Sequence, residues 1–275
     1  MSEPTRKELL ERLIPVVRAA GDVIMDIYDT DFQVQGKADN SPVTVADQQA
    51  EALIVPALQA LLPGVPVVAE EAVAAGDIPQ VGDRFWLVDP LDGTREFINR
   101  NGEFTVNVAL IESGQPVLGV VLAPALGRLY AGGQGVGAFL EDAQGRCAVA
   151  CRVPPDCGLT VVASRSHGDA EALAAFLNGR KLAELRNAGS SLKLCLVAHG
   201  EADLYPRLGR TMEWDIAAGH AVLAAAGGAV NTLDGLALLY GKPGFENPHF
   251  VAVGLHDALP AGAEGRLPPS AAPGA

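Results

Sequence analysis

The chain has 275 residues, a formal net charge of −13, 49% hydrophobic and 19% charged residues. That length and composition supply a substantial core for two modest domains or one large one and exclude global disorder. The acidic balance, with no basic face standing out, excludes a nucleic-acid binder, so an anionic substrate would need metals or a few placed Arg and Lys residues to hold it.

From Thr5-x-x-Glu8, a capping-box pattern, a first helix is expected to about residue 28, with Leu9, Leu10, Leu13, Val17, Ala20, Ile24 and Ile27 as its apolar stripe. A polar loop over 36–42 leads to a second helix over 44–62, stopped by Pro63-Gly64. A strand over 65–69 should deliver Glu70-Glu71, and the apolar run Phe85-Trp86-Leu87-Val88 should be a strand ending in the turn Asp89-Pro90-Leu91-Asp92-Gly93-Thr94. Apolar or alternating runs over 104–112, 116–123, 127–131 and 137–141, joined by short turns, predict an antiparallel meander.

The texture changes near Pro154-Pro155-Asp156, which divides the chain into an α+β part (1–155) and an α/β part (156–258). The second part reads as strand 159–164, helices 169–177 and 190–199, strand 202–205, helix 215–226 and strand 249–253. Residues 259–275, rich in Pro, Ala and Gly, read as a disordered tail. Cys147, Cys151, Cys157 and Cys195 show neither C-x-x-C pairing nor zinc spacing and read as free thiols of a reducing compartment. The start is charged and unlike a signal peptide, and no apolar run reaches the roughly 18 residues that span a bilayer. The expected location is the cytoplasm, with peripheral attachment at the inner membrane left open and the oligomeric state unknown.

Four acids stand where they could converge: Glu70 after one strand, Asp89 and Asp92 after another, and Asp215 at a helix start. Taken singly, Asp215 reads as a helix cap, whereas Asp89 with Asp92 reads equally as an ordinary turn or as a functional pair. Together they favour a hard-cation site. Oxygen ligands without His or Cys suit Mg²⁺ or Mn²⁺ rather than zinc. Beside them, Gly93-Thr94 can open a helix whose N–H groups attract an anion. Acids that collect cations beside a helix start that collects an anion indicate metal-assisted phosphate chemistry.

Residues 85–98 (FWLVDPLDGTREFI) and 213–228 (EWDIAAGHAVLAAAGG) resemble the two signatures of the inositol monophosphatase superfamily, the lithium-sensitive, magnesium-dependent phosphomonoesterases. The resemblance runs over roughly residues 10–253. Within the superfamily, Asp39-Asn40-Ser41-Pro42-Val43-Thr44-Val45-Ala46-Asp47, Arg100-Asn101-Gly102-Glu103-Phe104-Thr105-Val106-Asn107, Ser164-Arg165-Ser166-His167 and Leu204-Tyr205-Pro206-Arg207 are most similar to the bacterial 3′(2′),5′-bisphosphate nucleotidase branch.

The resemblance implies a layered α-β-α-β-α sandwich of the inositol monophosphatase and fructose-1,6-bisphosphatase type. It implies removal of the 3′-phosphate from 3′-phosphoadenosine 5′-phosphate, with the phosphosulfate analogue as a further substrate. Inositol 1-phosphate or another sugar monophosphate is the alternative within the superfamily. A nucleotide-binding regulator without turnover is the alternative outside it. Two to three Mg²⁺ ions are implied, with Mn²⁺ able to substitute. Glu70, Asp89 and the Leu91 carbonyl would hold the first, Asp89, Asp92 and Asp215 the second, and Glu70 with Asp47 a looser third through water. Thr94, with Asp47 or Glu70, would activate the attacking water. Glu70, Leu91, Asp92, Gly93, Thr94 and Asp215 would surround the phosphate, and His167, Ser190, Lys193 and Arg207 would contact the nucleotide.

Two other motifs mislead. Ser190-Ser191-Leu192-Lys193 matches S-x-x-K, but neither S-D-N nor K-T-G follows, so a serine acyl-enzyme is rejected. Gly132-Gly133-Gln134-Gly135-Val136-Gly137 lacks dinucleotide-loop spacing and reads as a hairpin. His199, His220, His249 and His256 have no ligand spacing and read as structural.

Overall fold

A computed structural model of the chain describes residues 3–30, 34–36, 42–164 and 170–255. Helix α1 (Arg6–Tyr28) starts at the expected capping box, in which the Thr5 N–H donates to Glu8 Oε2 at 2.8 Å and the Glu8 N–H donates to Thr5 Oγ1 at 3.3 Å. Strands β1 (Val34–Gly36) and β2 (Pro42–Thr44) pair in a small antiparallel ribbon before α2 (Val45–Leu61). Strand β3 (Val67–Ala69) runs parallel to β4 (Arg84–Asp92), and Glu70 opens the short helix α3 (Glu70–Ala74) between them.

From β4 the sheet continues as the expected antiparallel meander: β5 (Thr105–Glu112), β6 (Gln115–Ala123), β7 (Arg128–Gly133), β8 (Gly137–Asp142) and β9 (Gly145–Ala148). Its strand order is β3-β4-β5-β6-β7-β8-β9. The glycine-rich run over 132–137 is the β7–β8 hairpin. Helix α4 (Thr94–Ile98) lies between β4 and β5.

The second half contributes β10 (Leu159–Ser164), α5 (Ala170–Leu177), β11 (Leu182–Ala188), α6 (Leu192–Ala198), β12 (Leu204–Arg207), α7 (Glu213–Ala225), β13 (Ala229–Thr232) and β14 (Phe250–Val253). These strands form a mixed sheet of order β11-β10-β12-β14-β13. Sequence periodicity does not announce β9, β11 or β13. Strands β9 and β11 are edge strands, exposed along almost their whole length, and polar edges carry no alternating apolar signal.

The layers follow from the two-residue period of the strands. In β4, Trp86 and Val88 join the core made with α1 and α2, whereas Phe85 and Leu87 join the core containing α6, α7 and the inner face of the second sheet. A third core, with Leu159, Val161, Val251 and Val253, meets Phe176 and Leu177 of α5 on the outer face of that sheet. The result is an α-β-α-β-α sandwich. Helices α6 and α7 come from the second half of the chain yet share one core with the first sheet.

Gly119 fixes how closely α7 lies on that sheet. A Cβ there would stand 2.4 Å from the Ala218 carbonyl oxygen and 2.8 Å from its Cα. Backbone cannot yield as a side-chain tip can, so Gly119→Ala should cost about 3 kcal/mol by overpacking. Urea unfolding measures this, and a loss near zero would show that α7 can ride outward. The position matters for function because Asp215 sits in the first turn of α7.

Candidate active site

The ends of β3, β4 and α7 converge on a cleft of about 350 Å³. In β4, Asp89 pairs with Asn107 and Asp92 with Thr105, and the register shifts between them. The expected tight turn is therefore a bulge within the strand end, which leaves the Pro90-Leu91 step outside the ladder, where a residue without an N–H is tolerated. Asp89, 1% exposed, accepts the Leu91 N–H at 3.1 Å, a local bond that holds the bulge. Gly93 then takes a φ of +89°, accessible to glycine at no steric cost, and turns the chain into α4.

Glu70, Asp89 and Asp215 each present a carboxylate oxygen, all within 4.8 Å of one another. Asp215 was expected to cap a helix starting at its own position, but α7 begins two residues earlier with Met212 at the N-cap, and Asp215 reaches back from the first turn, its Oδ2 accepting the Met212 N–H at 2.8 Å. Burial, then the Asp92 and Glu70 charges, pushes the Asp215 carboxyl well above the usual carboxylate range. Asp92 is raised to about 6, chiefly by burial and against the pull of Lys193, while the Ser191 N–H and the Ser190 side chain hydrogen-bond to it. Acids held together against their own repulsion are hard oxygen donors, and they fit Mg²⁺ or Mn²⁺. Asp92 and the Leu91 residue line the same cleft.

Thr94 completes this wall. Its Oγ1 stands 3.3 Å from Asp47 Oδ1 and 3.3 Å from the Leu91 carbonyl oxygen, to either of which it can donate. Asp47, 1% exposed, is itself anchored: its Oδ2 accepts from the Thr44 N–H at 2.8 Å and from Thr44 Oγ1 at 2.7 Å. Thr44-x-x-Asp47 is a capping box at the start of α2, a pattern legible in the sequence but not used there.

The facing wall comes from the second half. Ser190 was expected to open a helix, but it precedes α6 and adopts φ +52°, a left-handed conformation rare for serine. Its hydroxyl lies 2.6 Å from Thr105 Oγ1, which also lies 2.9 Å from Ser191 Oγ, and Ser191 Oγ donates to Asn107 Oδ1 at 2.7 Å. Lys193, 4% exposed, donates to the Ala188 and Ser190 carbonyl oxygens and stands 5.4 Å from the Tyr205 ring centroid. Burial lowers its ammonium to about 8, opposed by Asp92. Its donors thus brace the 188–190 backbone beneath the acids. Arg207 Nη2 donates to the Arg210 carbonyl oxygen at 2.6 Å, while its buried Nε finds no acceptor among the described residues.

Arg210, Arg95 and Tyr205 line the cleft too, and sequence reasoning did not single them out. His167 falls outside the described residues, as do His256 and the 259–275 stretch. His220, lowered to about 3 by burial, stays neutral with its Nδ1 2.9 Å from the Tyr240 hydroxyl. His199 Nδ1 lies 3.0 Å from Glu201 Oε1. All four cysteines are free. No helix of the described residues is long and apolar enough to cross a membrane.

Comparison with known proteins agrees with this geometry. The sequence model of the inositol monophosphatase family matches residues 5–259. The 3′(2′),5′-bisphosphate nucleotidase CysQ of Escherichia coli K12 is 48% identical over 247 residues, covering 88% of this chain and 98% of that protein. CysQ of Buchnera aphidicola is 40% identical over 262 residues, covering 90% and 95%. Among solved structures, CysQ from Bacteroides thetaiotaomicron superposes with a TM-score of 0.75 at 37% identity, covering 89% and 96%. The Thermotoga maritima IMPase gives 0.71 at 26% identity, covering 87% and 89%. With its layers, its acid-lined cleft and its sequence all matching, the chain belongs to the inositol monophosphatase family.

Proposed function

We propose that the chain is a Mg²⁺-dependent 3′(2′),5′-bisphosphate nucleotidase that hydrolyses 3′-phosphoadenosine 5′-phosphate to AMP and phosphate, with the phosphosulfate analogue as a second substrate. The observation that carries the reading is 48% identity to a nucleotidase of that name across 98% of its length. Metal dependence is characteristic of the family, and the converging carboxylates of Glu70, Asp89 and Asp215 support it here.

Glu70, Asp89 and the Leu91 carbonyl would hold one ion and Asp89, Asp92 and Asp215 another, with Glu70 and Asp47 near a third. Such ions, when bound, neutralise phosphate oxygens, acidify water and stabilise the leaving oxygen. The protein's own part is orientation and proton movement. By donating to Asp47, Thr94 Oγ1 keeps its lone pairs for the attacking water and passes the proton change to a buried carboxylate. Water attacks phosphorus in line and the bond to the ribose 3′-oxygen breaks. Gly93 and Thr94 line the cleft, and their backbone N–H groups would hold phosphate oxygens there. Arg207, with an unpartnered Nε, suits the second phosphate of a bisphosphate, which an inositol monophosphate lacks. Ser190 and Lys193 line the same cleft and, with His167, are further nucleotide contacts in the same reading.

Phosphate release from 3′-phosphoadenosine 5′-phosphate and from inositol 1-phosphate, measured in parallel with Mg²⁺, tests the reading. A strong preference for the nucleotide is expected, and preference for inositol 1-phosphate would overturn it. Arg207→Ala should lower kcat/KM for the bisphosphate by roughly 10²-fold, the loss of a charged hydrogen-bonded contact. Activity on a small monophosphate should change far less, and equal losses on both would remove Arg207 from nucleotide binding.

A further inference from the structure

One turn beyond Asp47, α2 carries a second carboxylate turned inward. Glu51 is 9% exposed, and both its oxygens accept backbone N–H groups: Oε2 from Glu71 at 2.8 Å and Oε1 from Ala72 at 2.8 Å. These are the second and third N–H groups of α3, which a Ser, Thr or Asp at the N-cap would ordinarily satisfy. Ala69 occupies that N-cap position and makes no side-chain bond to the helix. The cap is supplied instead by a neighbouring helix, and the first residue of the capped helix is Glu70.

Helix α3 has five residues, too few to hold itself by its own hydrogen bonds. Glu70 must nevertheless stand near Asp89 and Asp215, whose charges repel it. A double charge-assisted bond to the turn that carries Glu70 holds the backbone against that repulsion. The same helix is tied through Asp47 to Thr94 and through Glu51 to α3, so α2 sets the spacing between two sides of the cleft.

We propose that Glu51 is a positioning residue for Glu70, fixing the α3 turn so that the acid cluster is preset for divalent cations. The inference rests on the reading of Glu70 as a metal ligand. Groups that orient a ligand typically change metal affinity by about 10–100-fold when lost.

Mn²⁺ binding to the full chain, followed by calorimetry, tests it with wild type, Glu51→Gln, Glu70→Gln and the double variant. Glu51→Gln keeps the side-chain shape and one acceptor, so it is the variant to rely on should Glu51→Ala fail to fold. Glu51→Gln is expected to weaken Mn²⁺ about tenfold and to raise the Mg²⁺ concentration needed for half-maximal phosphate release, with kcat largely recovered at saturating Mg²⁺. The double variant should bind no more weakly than Glu70→Gln alone, since Glu51 acts through Glu70. Unchanged Mn²⁺ affinity in Glu51→Gln, or a loss that adds in full in the double variant, overturns the proposal and leaves Glu51 a purely structural cap. Unchanged affinity in Glu70→Gln removes the metal-ligand reading itself, and the proposal with it.

Discussion

Asp215→Asn should lower turnover of the bisphosphate by about 10³-fold while leaving the metal-free protein at least as stable as the wild type. The asymmetry follows from what the substitution removes. Asn can still accept the Met212 N–H that Asp215 Oδ2 now takes, so the start of α7 stays capped. What disappears is a negative charge that burial, Asp92 and Glu70 already disfavour. Without a cation that charge is a liability, and with one it is a ligand.

The sign can be checked through pH. Asp92 is raised to about 6 in the fold, above the ordinary Asp value, so its contribution favours folding when protonated and is lost as pH rises through about 6. Metal-free wild type should melt lower at about pH 7.5 than at about pH 5, and Mg²⁺ should restore the difference by binding only the folded state. In Asp215→Asn that pH slope should be shallower, because one of the mutually repelling carboxylates is gone. Thermal melts in chelator and phosphate-release assays report both halves. Normal turnover would exclude Asp215 from the metal site, and a melting temperature lowered by several degrees would show that its charge matters mainly as a cap.

What could be foreseen from the sequence was local. The Thr5-x-x-Glu8 box marks the start of α1, and the unbroken run Phe85-Trp86-Leu87-Val88 marks a strand buried on both faces, as β4 is. The acids at the ends of β3 and β4 were legible because they fall where apolar runs stop, and Asp215 because an Ala-rich apolar run begins directly after it. The contacts that organise them were not. Glu51 looks like any polar residue on an amphipathic helix, and only the arrival of α3 gives its carboxylate two N–H partners. Ser190 reads as a helix start, yet the meeting with Thr105, 85 residues earlier in the chain, comes with a left-handed turn in front of α6. Gly189 is similarly silent in sequence. A Cβ there would stand 2.7 Å from the Glu103 carbonyl oxygen, because the loop lies flush against the end of the first sheet. Lys193 reads as a cation for ligand, and its burial over carbonyl oxygens depends on a wall folded from another part of the chain.

The second large effect separates Thr94 from the two carboxylates that could serve it. Thr94→Ala should reduce kcat by about 10²–10⁴-fold, as expected when a general-base relay is removed. Asp47→Asn should cost about as much, for a reason the geometry supplies. An amide at Asp47 can keep its oxygen on Thr44, whose N–H and hydroxyl hold Oδ2 at 2.8 and 2.7 Å. It then turns an NH₂ toward Thr94, which must accept where it formerly donated and can no longer pass on a proton. Helix α2 therefore stays capped while the relay is reversed, and the melting temperature should barely move. Combining Thr94→Ala with Asp47→Asn should cost little more than either alone, because residues that act as one unit are not additive. Single-turnover phosphate release at saturating Mg²⁺, with melting curves beside it, distinguishes the cases. Full turnover with a lowered melting temperature in Asp47→Asn would reduce Asp47 to a helix cap. Losses that multiply in the double variant would mean that Thr94 hands its proton elsewhere, and Glu70, on the same side of the cleft, would be the carboxylate to test next.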